Sequence, residues 1–105
     1  MIGKELLEFI EIENKRLNEH FHKDDSKKEV ALLRLAKLTE EVGEVSDELL
    51  KSFSYARKHK LEKGNNLDIE IADVIIVTLL LAKNMNVDID KALREKIKNI
   101  EAREY

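Results

Sequence analysis

The sequence predicts an all-α protein whose protomer is a four-helix up-and-down bundle, and three observations predict it. The 105 residues contain no proline and three glycines, so little in the chain stops a helix from running on. Apolar residues recur at steps of three and four over long stretches, the spacing that builds one face of a helix. Breaks fall near 22–25, 64–66 and 86–88, which leaves four helical segments joined in series. With 43% apolar residues, residues 1–105 suffice for one domain with its own core.

The first helix is expected from Ile2 to about Phe21, with Leu6, Phe9, Ile10, Leu17 and Phe21 as an apolar stripe interrupted by Glu13 and Asn14. His20, His22, Asp24 and Asp25 then crowd together. They straddle a helix end and read as a solvated loop rather than a metal cluster. Ser26-Lys27-Lys28-Glu29 has the form of a capping box and starts the second helix. Ala31, Leu35, Leu38, Val42, Val45, Leu49, Phe53 and Ala56 alternate steps of four and three, the seam of a helix packed lengthwise against others. Gly43 interrupts it, at a cost of about 1 kcal/mol relative to Ala, and would let a backbone or ligand approach Glu41 and Glu44.

From Tyr55 the chain turns basic and polar. Arg57, Lys58, Lys60 and Lys63 read as a solvated helix end, with phosphate contact as the alternative. Gly64-Asn65-Asn66 is a break in which Asn65 or Asn66 can cap the third helix. That helix starts at Leu67 and ends near Lys83 or Asn84. Its stretch from Leu67 to Ala82 is apolar on every side, as befits the centre of a structure. After the turn Asn86-Val87-Asp88, with Asp88 as cap, the fourth helix runs to about Arg103 with Ile89, Leu93, Ile97 and Ile100 facing inward.

Composition excludes several classes of function. There is no cysteine, so disulfides, thiolate metal sites and cysteine nucleophiles are absent. A net charge of -3 gives no general attraction to nucleic acid or to an anionic membrane. The first fifteen residues are too charged for a signal peptide. The longest uncharged run, Val74 to Ala82, is far short of the roughly 20 residues that span a bilayer. A soluble, cytoplasmic protein is the expectation.

The chemistry is expected in the acids. Glu70 and Asp73 lie a turn apart in the most apolar helix, with no Lys or Arg nearby in the segment. Carboxylates are almost never buried unless paired or bound to metal. The helix dipole accounts for Asp68 but less well for these two, which stand further in. On the second helix, advancing about 100° per residue, Glu41, Glu44 and Glu48 share one flank of the seam while Glu40 and Asp47 point away. Glu41 and Glu44 thus repeat the spacing of Glu70 and Asp73. Two such pairs on adjacent antiparallel helices bring four carboxylates together, which requires a cation. All-oxygen ligands suit Mg²⁺ or Mn²⁺. Di-iron bundles need Glu-x-x-His on two helices, and no His lies in either acidic motif.

Glu40-Glu41-x-x-Glu44 followed by Glu70-x-x-Asp73, set in LTEEVGEVSDEL and EIADVIIVTLLLA, resembles the signature of the MazG-like all-α nucleoside triphosphate pyrophosphohydrolases. The resemblance runs from about Leu32 to Arg103. It implies Mg²⁺ (with Mn²⁺ as a substitute) held by Glu41, Glu44, Glu70 and Asp73, and Glu40 orienting or activating water, with Glu40 or Glu44 accepting its proton. It further implies a homodimer or a homotetramer built as a dimer of dimers. The reaction implied is hydrolysis of a (deoxy)nucleoside triphosphate to monophosphate and pyrophosphate, in the service of nucleotide-pool cleansing. Lys96 is the best match to the family's phosphate-binding lysine. Two alternatives stay open: a phosphoribosyl-ATP pyrophosphohydrolase, and a non-enzymatic helical interaction module whose acids pair with a partner's cations.

Overall fold

A computed structural model of the chain describes residues 1–53 and 66–105. Four helices and no strand occur among the described residues: α1 (Lys4–Phe21), α2 (Lys27–Ser52), α3 (Leu67–Asn84) and α4 (Ile89–Glu101). The expectations for Tyr55, Ala56, Arg57, Lys58, Lys60, Lys63, Gly64 and Asn65 lie outside the described residues.

Local chemistry sets the helix starts. Ser26 Oγ accepts the Glu29 N–H at 3.1 Å and Glu29 Oε1 accepts the Ser26 N–H at 3.2 Å, so the capping box satisfies two donors that a helix start leaves free. Asp88 caps α4 by accepting the Lys91 N–H at 3.1 Å. Asn66 precedes α3 without a side-chain capping bond. Instead its N–H donates to Glu48 Oε2 at 2.9 Å, tying the start of α3 to the last turns of α2. Asn86 closes the α3–α4 turn with φ of 55°, a left-handed conformation that asparagine tolerates better than most residues.

α3 is the central element, packing most extensively on α2 and also on α1. α2 and α3 run antiparallel: the Lys27 carbonyl meets Asn84, Arg34 meets the Leu80 carbonyl, and Glu48 meets Asn66. Ile10, Leu79 and Leu80 form the buried cluster, with Ile2, Leu6, Leu17, Ile76 and Ile89 against it. Val30 and Val77 are buried as well.

Two expectations about faces are corrected. The seam of α2 points only partly into the protomer: Leu35, Val42, Leu49 and Phe53 are exposed and Ala31, Leu38 and Val45 half-buried, whereas Val30, Arg34 and Glu41 are buried. The packed face is therefore centred about 100°, one residue, from Leu35 and Val42. On α4, Ile89 joins the core, but Leu93, Ile97 and Ile100 are exposed. α4 is attached at its beginning, where Asp90 accepts the Ile2 N–H at 3.0 Å and pairs with the terminal ammonium at 3.4 Å. The expected approach at Gly43 is not made among the described residues, none of which comes within 4 Å of where its Cβ would stand, its own helix backbone aside.

Candidate metal centre

The stripe that α2 turns toward α3 carries the site. Val30, Arg34 and Glu41 follow one another at steps of four and seven, nearly in line on a helix. Glu41 is 8% exposed. Across from it α3 presents Glu70 and Asp73, both half-buried. One carboxylate oxygen from each of Glu41, Glu70 and Asp73 lies within 4.8 Å of the others. Oxygens that close are where three acids can share one cation, and the all-carboxylate donor set fits a hard ion such as Mg²⁺ or Mn²⁺.

The electrostatics say the same. Burial, followed by the charges of Asp73, Glu44, Glu41 and Glu48, pushes the Glu70 carboxyl above its ordinary range. Like charges resist ionising together until a cation is among them.

The four predicted ligands thus divide three to one. Glu41, Glu70 and Asp73 come together. Glu44 is exposed and outside that group, although near enough for its charge to act on Glu70. Helix spacing orders the acids of α2: seen from Glu41, position 48 lies about 20° away around the helix and position 44 about 60°. Glu48 is accordingly the half-buried one, accepting from Lys51 at 3.1 Å and from the Asn66 N–H. Glu40 is exposed, with Lys37 Nζ at 3.5 Å. Lys96 is exposed on α4, and among the described residues no hydrogen bond or ion pair joins it to the acids. His22 and Asp25 pair at 2.9 Å at the end of α1, apart from the acidic group.

Beside the acids opens a cleft of about 370 Å³ whose lining includes Glu13, Arg34, Lys37, Glu41, Asp73 and Ile76. Arg34 is 5% exposed. Its guanidinium donates to Asn14 Oδ1 at 2.7 Å, the Leu80 carbonyl at 2.8 Å and Asn18 Oδ1 at 3.2 Å, so it joins α1, α2 and α3. Burial lowers its pKa, yet a guanidinium remains charged. Lys37 Nζ stands 3.0 Å from Glu41 Oε1, and the carboxylates of Glu41 and Glu40 hold its ammonium above the usual lysine range.

Sequence reasoning missed Arg34, Lys37, Asn14 and Asn18. The signals were there: Lys37 precedes Glu41 by four residues, Arg34 precedes it by seven, and Asn14 breaks the stripe of α1.

A protein-family model described as the MazG-like family matches residues 35–104, and the chain belongs to that family. The chain is also similar to the uncharacterized protein YpjD of Bacillus subtilis (strain 168), 31% identical over 61 residues. That match covers 58% of this chain and 55% of YpjD, so the chain spans about half the length of this curated relative. No solved structure matches. No helix among the described residues is long and apolar enough to cross a membrane.

Proposed function

We propose that the chain is a nucleoside triphosphate pyrophosphohydrolase, converting NTP and water to NMP and pyrophosphate with Mg²⁺, or Mn²⁺ in its place. The observation that carries the reading is the convergence of Glu41, Glu70 and Asp73 in a MazG-like chain. When bound, the cation supplies charge neutralisation of the triphosphate and a lowered pKa for an attacking water.

The chain's own residues divide the remaining work. Glu41, Glu70 and Asp73 hold the ion. Glu44, exposed beside them, takes the proton of the water as its oxygen bonds to the α-phosphorus and the bond to the bridging oxygen breaks, releasing pyrophosphate. Glu40 faces outward toward Lys37 and has the lesser part. Leu17, Ile76 and Val77 give the cleft an apolar side against which a sugar or base can lie.

The working form is a homodimer or a dimer of dimers. The exposed apolar side chains of α2 and α4 support this, as does a radius of gyration of 16.8 Å, against about 13 Å for a compact chain of this length. A nucleotide substrate places the protein in the cytoplasm, in the service of the nucleotide pool.

The test is a product assay over canonical and modified (d)NTPs with and without Mg²⁺. NMP plus pyrophosphate, formed only with metal, is the expected result. If folded, metal-loaded protein turns over none of them, phosphoribosyl-ATP is the next substrate to try. If that fails as well, a helical interaction module becomes the better reading.

A further inference from the structure

Glu41 has two rival partners. From its own helix Lys37 reaches it at 3.0 Å; from across the cleft Glu70 and Asp73 offer to share a cation with it. A divalent ion among those three acids and an ammonium on one of them repel each other, so the two arrangements compete. Lys37 is able to leave. Its side chain is 53% exposed, its stem is flexible and its three donors rotate.

The other cation lining the cleft, Arg34, is buried and committed to Asn14, Asn18 and the Leu80 carbonyl. Lys51 and Lys83 are paired with Glu48 and Glu11. Among the described residues Lys37, paired with Glu41 and more loosely with Glu40, is therefore the exposed cation lining the cleft where an anion would enter beside the acids.

We propose that Lys37 is an exchangeable counter-ion: it neutralises Glu41 while the acids hold no metal, and on metal binding it passes to the polyphosphate of the substrate. This rests on the pyrophosphohydrolase reading and gives the phosphate-binding role to Lys37 on α2 rather than to Lys96 on α4. It also makes a demand that a structural ion pair does not. Removing the ammonium must affect metal and polyphosphate in opposite directions.

The experiment compares the wild-type chain with Lys37→Met and Lys37→Gln, each checked for unchanged helix content. Calorimetric titration with Mn²⁺ alone, free of nucleotide, is expected to show binding tighter by about tenfold in both variants, since a competing cation is gone. Titration with inorganic tripolyphosphate at saturating Mg²⁺ is expected to show binding weaker by about tenfold, since a charge-assisted contact is gone. Lys37→Arg, which keeps the charge, should return Mn²⁺ affinity to near the wild-type value.

Loss of affinity in both titrations, or no change in either, overturns the proposal. So does tighter Mn²⁺ binding with unchanged tripolyphosphate binding, or a wild-type chain that binds no Mn²⁺. Neither titration uses a nucleotide. A protein that hydrolyses no nucleotide but gives the opposed shifts would remove the hydrolase reading and leave the exchange standing.

Discussion

Asp73 and Glu41 hold like charges close together, and that makes their roles separable by experiment. Asp73→Asn or Glu41→Gln takes one charge out of a mutually repelling group and one ligand out of a metal site. Turnover is expected to fall by at least ~100-fold, since even outer partners of a metal site matter by tens-fold. Thermal unfolding in metal-free buffer is expected to be unchanged or to shift upward, because repulsion is relieved. A marked loss of metal-free stability would instead mean that the acids hold the fold. Glu44 and Glu40 differ in a finer way. Glu44→Gln should lower kcat with little effect on Mn²⁺ binding, because the side chain lies beside the ligands and outside their group. Glu40→Gln should do less, because its carboxylate turns outward to Lys37. Kinetics on the two variants at saturating metal decide the order.

At the scale of the helix, Arg34 is the joint. Arg34→Met leaves the Asn14 and Asn18 carboxamide oxygens without this donor and removes the bond to the Leu80 carbonyl that ties α2 to α3. Unpaired buried acceptors cost about 1–3 kcal/mol each where water cannot replace the donor, so a loss of about 2–4 kcal/mol in denaturant unfolding is expected. The attachment of α4 gives a pH dependence. The Ile2 N–H and then the terminal ammonium hold the Asp90 carboxyl below its ordinary range, and Lys83 does the same for Glu11. A depressed folded pKa adds stability above the unfolded value, near 4 for such acids, and that stability is lost as pH falls through the folded value. Unfolding followed from pH 6 down should therefore steepen below about pH 4, and Asp90→Asn should flatten that limb. The same scale explains what the sequence made legible. The capping box at Ser26 and the cap at Asp88 depend on residues three apart, so local spacing was enough to find them. The pairing of Glu41 with Glu70 and Asp73 was legible because two acidic pairs share one spacing and the second stands in an apolar helix. The rotation of α2 was not, because the helix carries two usable stripes. Leu35, Val42 and Leu49 make the more regular one, while Val30, Arg34, Leu38, Glu41 and Val45 make the one that packs. A buried arginine bonded to two asparagines on another helix leaves no periodic apolar signal.

For the molecule as a whole, the question is what covers its apolar outside. No side chain among the described residues is fully buried. Val42 and Leu49 on α2, Phe53 just past its end, Ile69 and Ile75 on α3, and Ile97 and Ile100 on α4 are all exposed. Large contiguous apolar patches are rare on monomeric proteins, and two copies that buried these side chains would gain the core that each protomer lacks. The regular steps of the outer stripe of α2 are those of a helix that packs lengthwise on another. Sedimentation of the wild-type chain should therefore give a dimer or tetramer at micromolar concentration. The double substitution Val42→Glu and Leu49→Glu should shift it toward monomer and lower the melting temperature. Both residues face away from the acids, so the substitutions leave the metal ligands in place, and Mn²⁺ binding per chain reports whether the site needs the second copy. If the monomeric variant binds Mn²⁺ as the wild type does, Glu41, Glu70 and Asp73 suffice within one protomer. If binding falls with dissociation at constant helix content, the partner is holding α2 against α3. A wild-type chain that sediments as a monomer at every concentration would show that the outer stripe of α2 serves some other surface than a second copy.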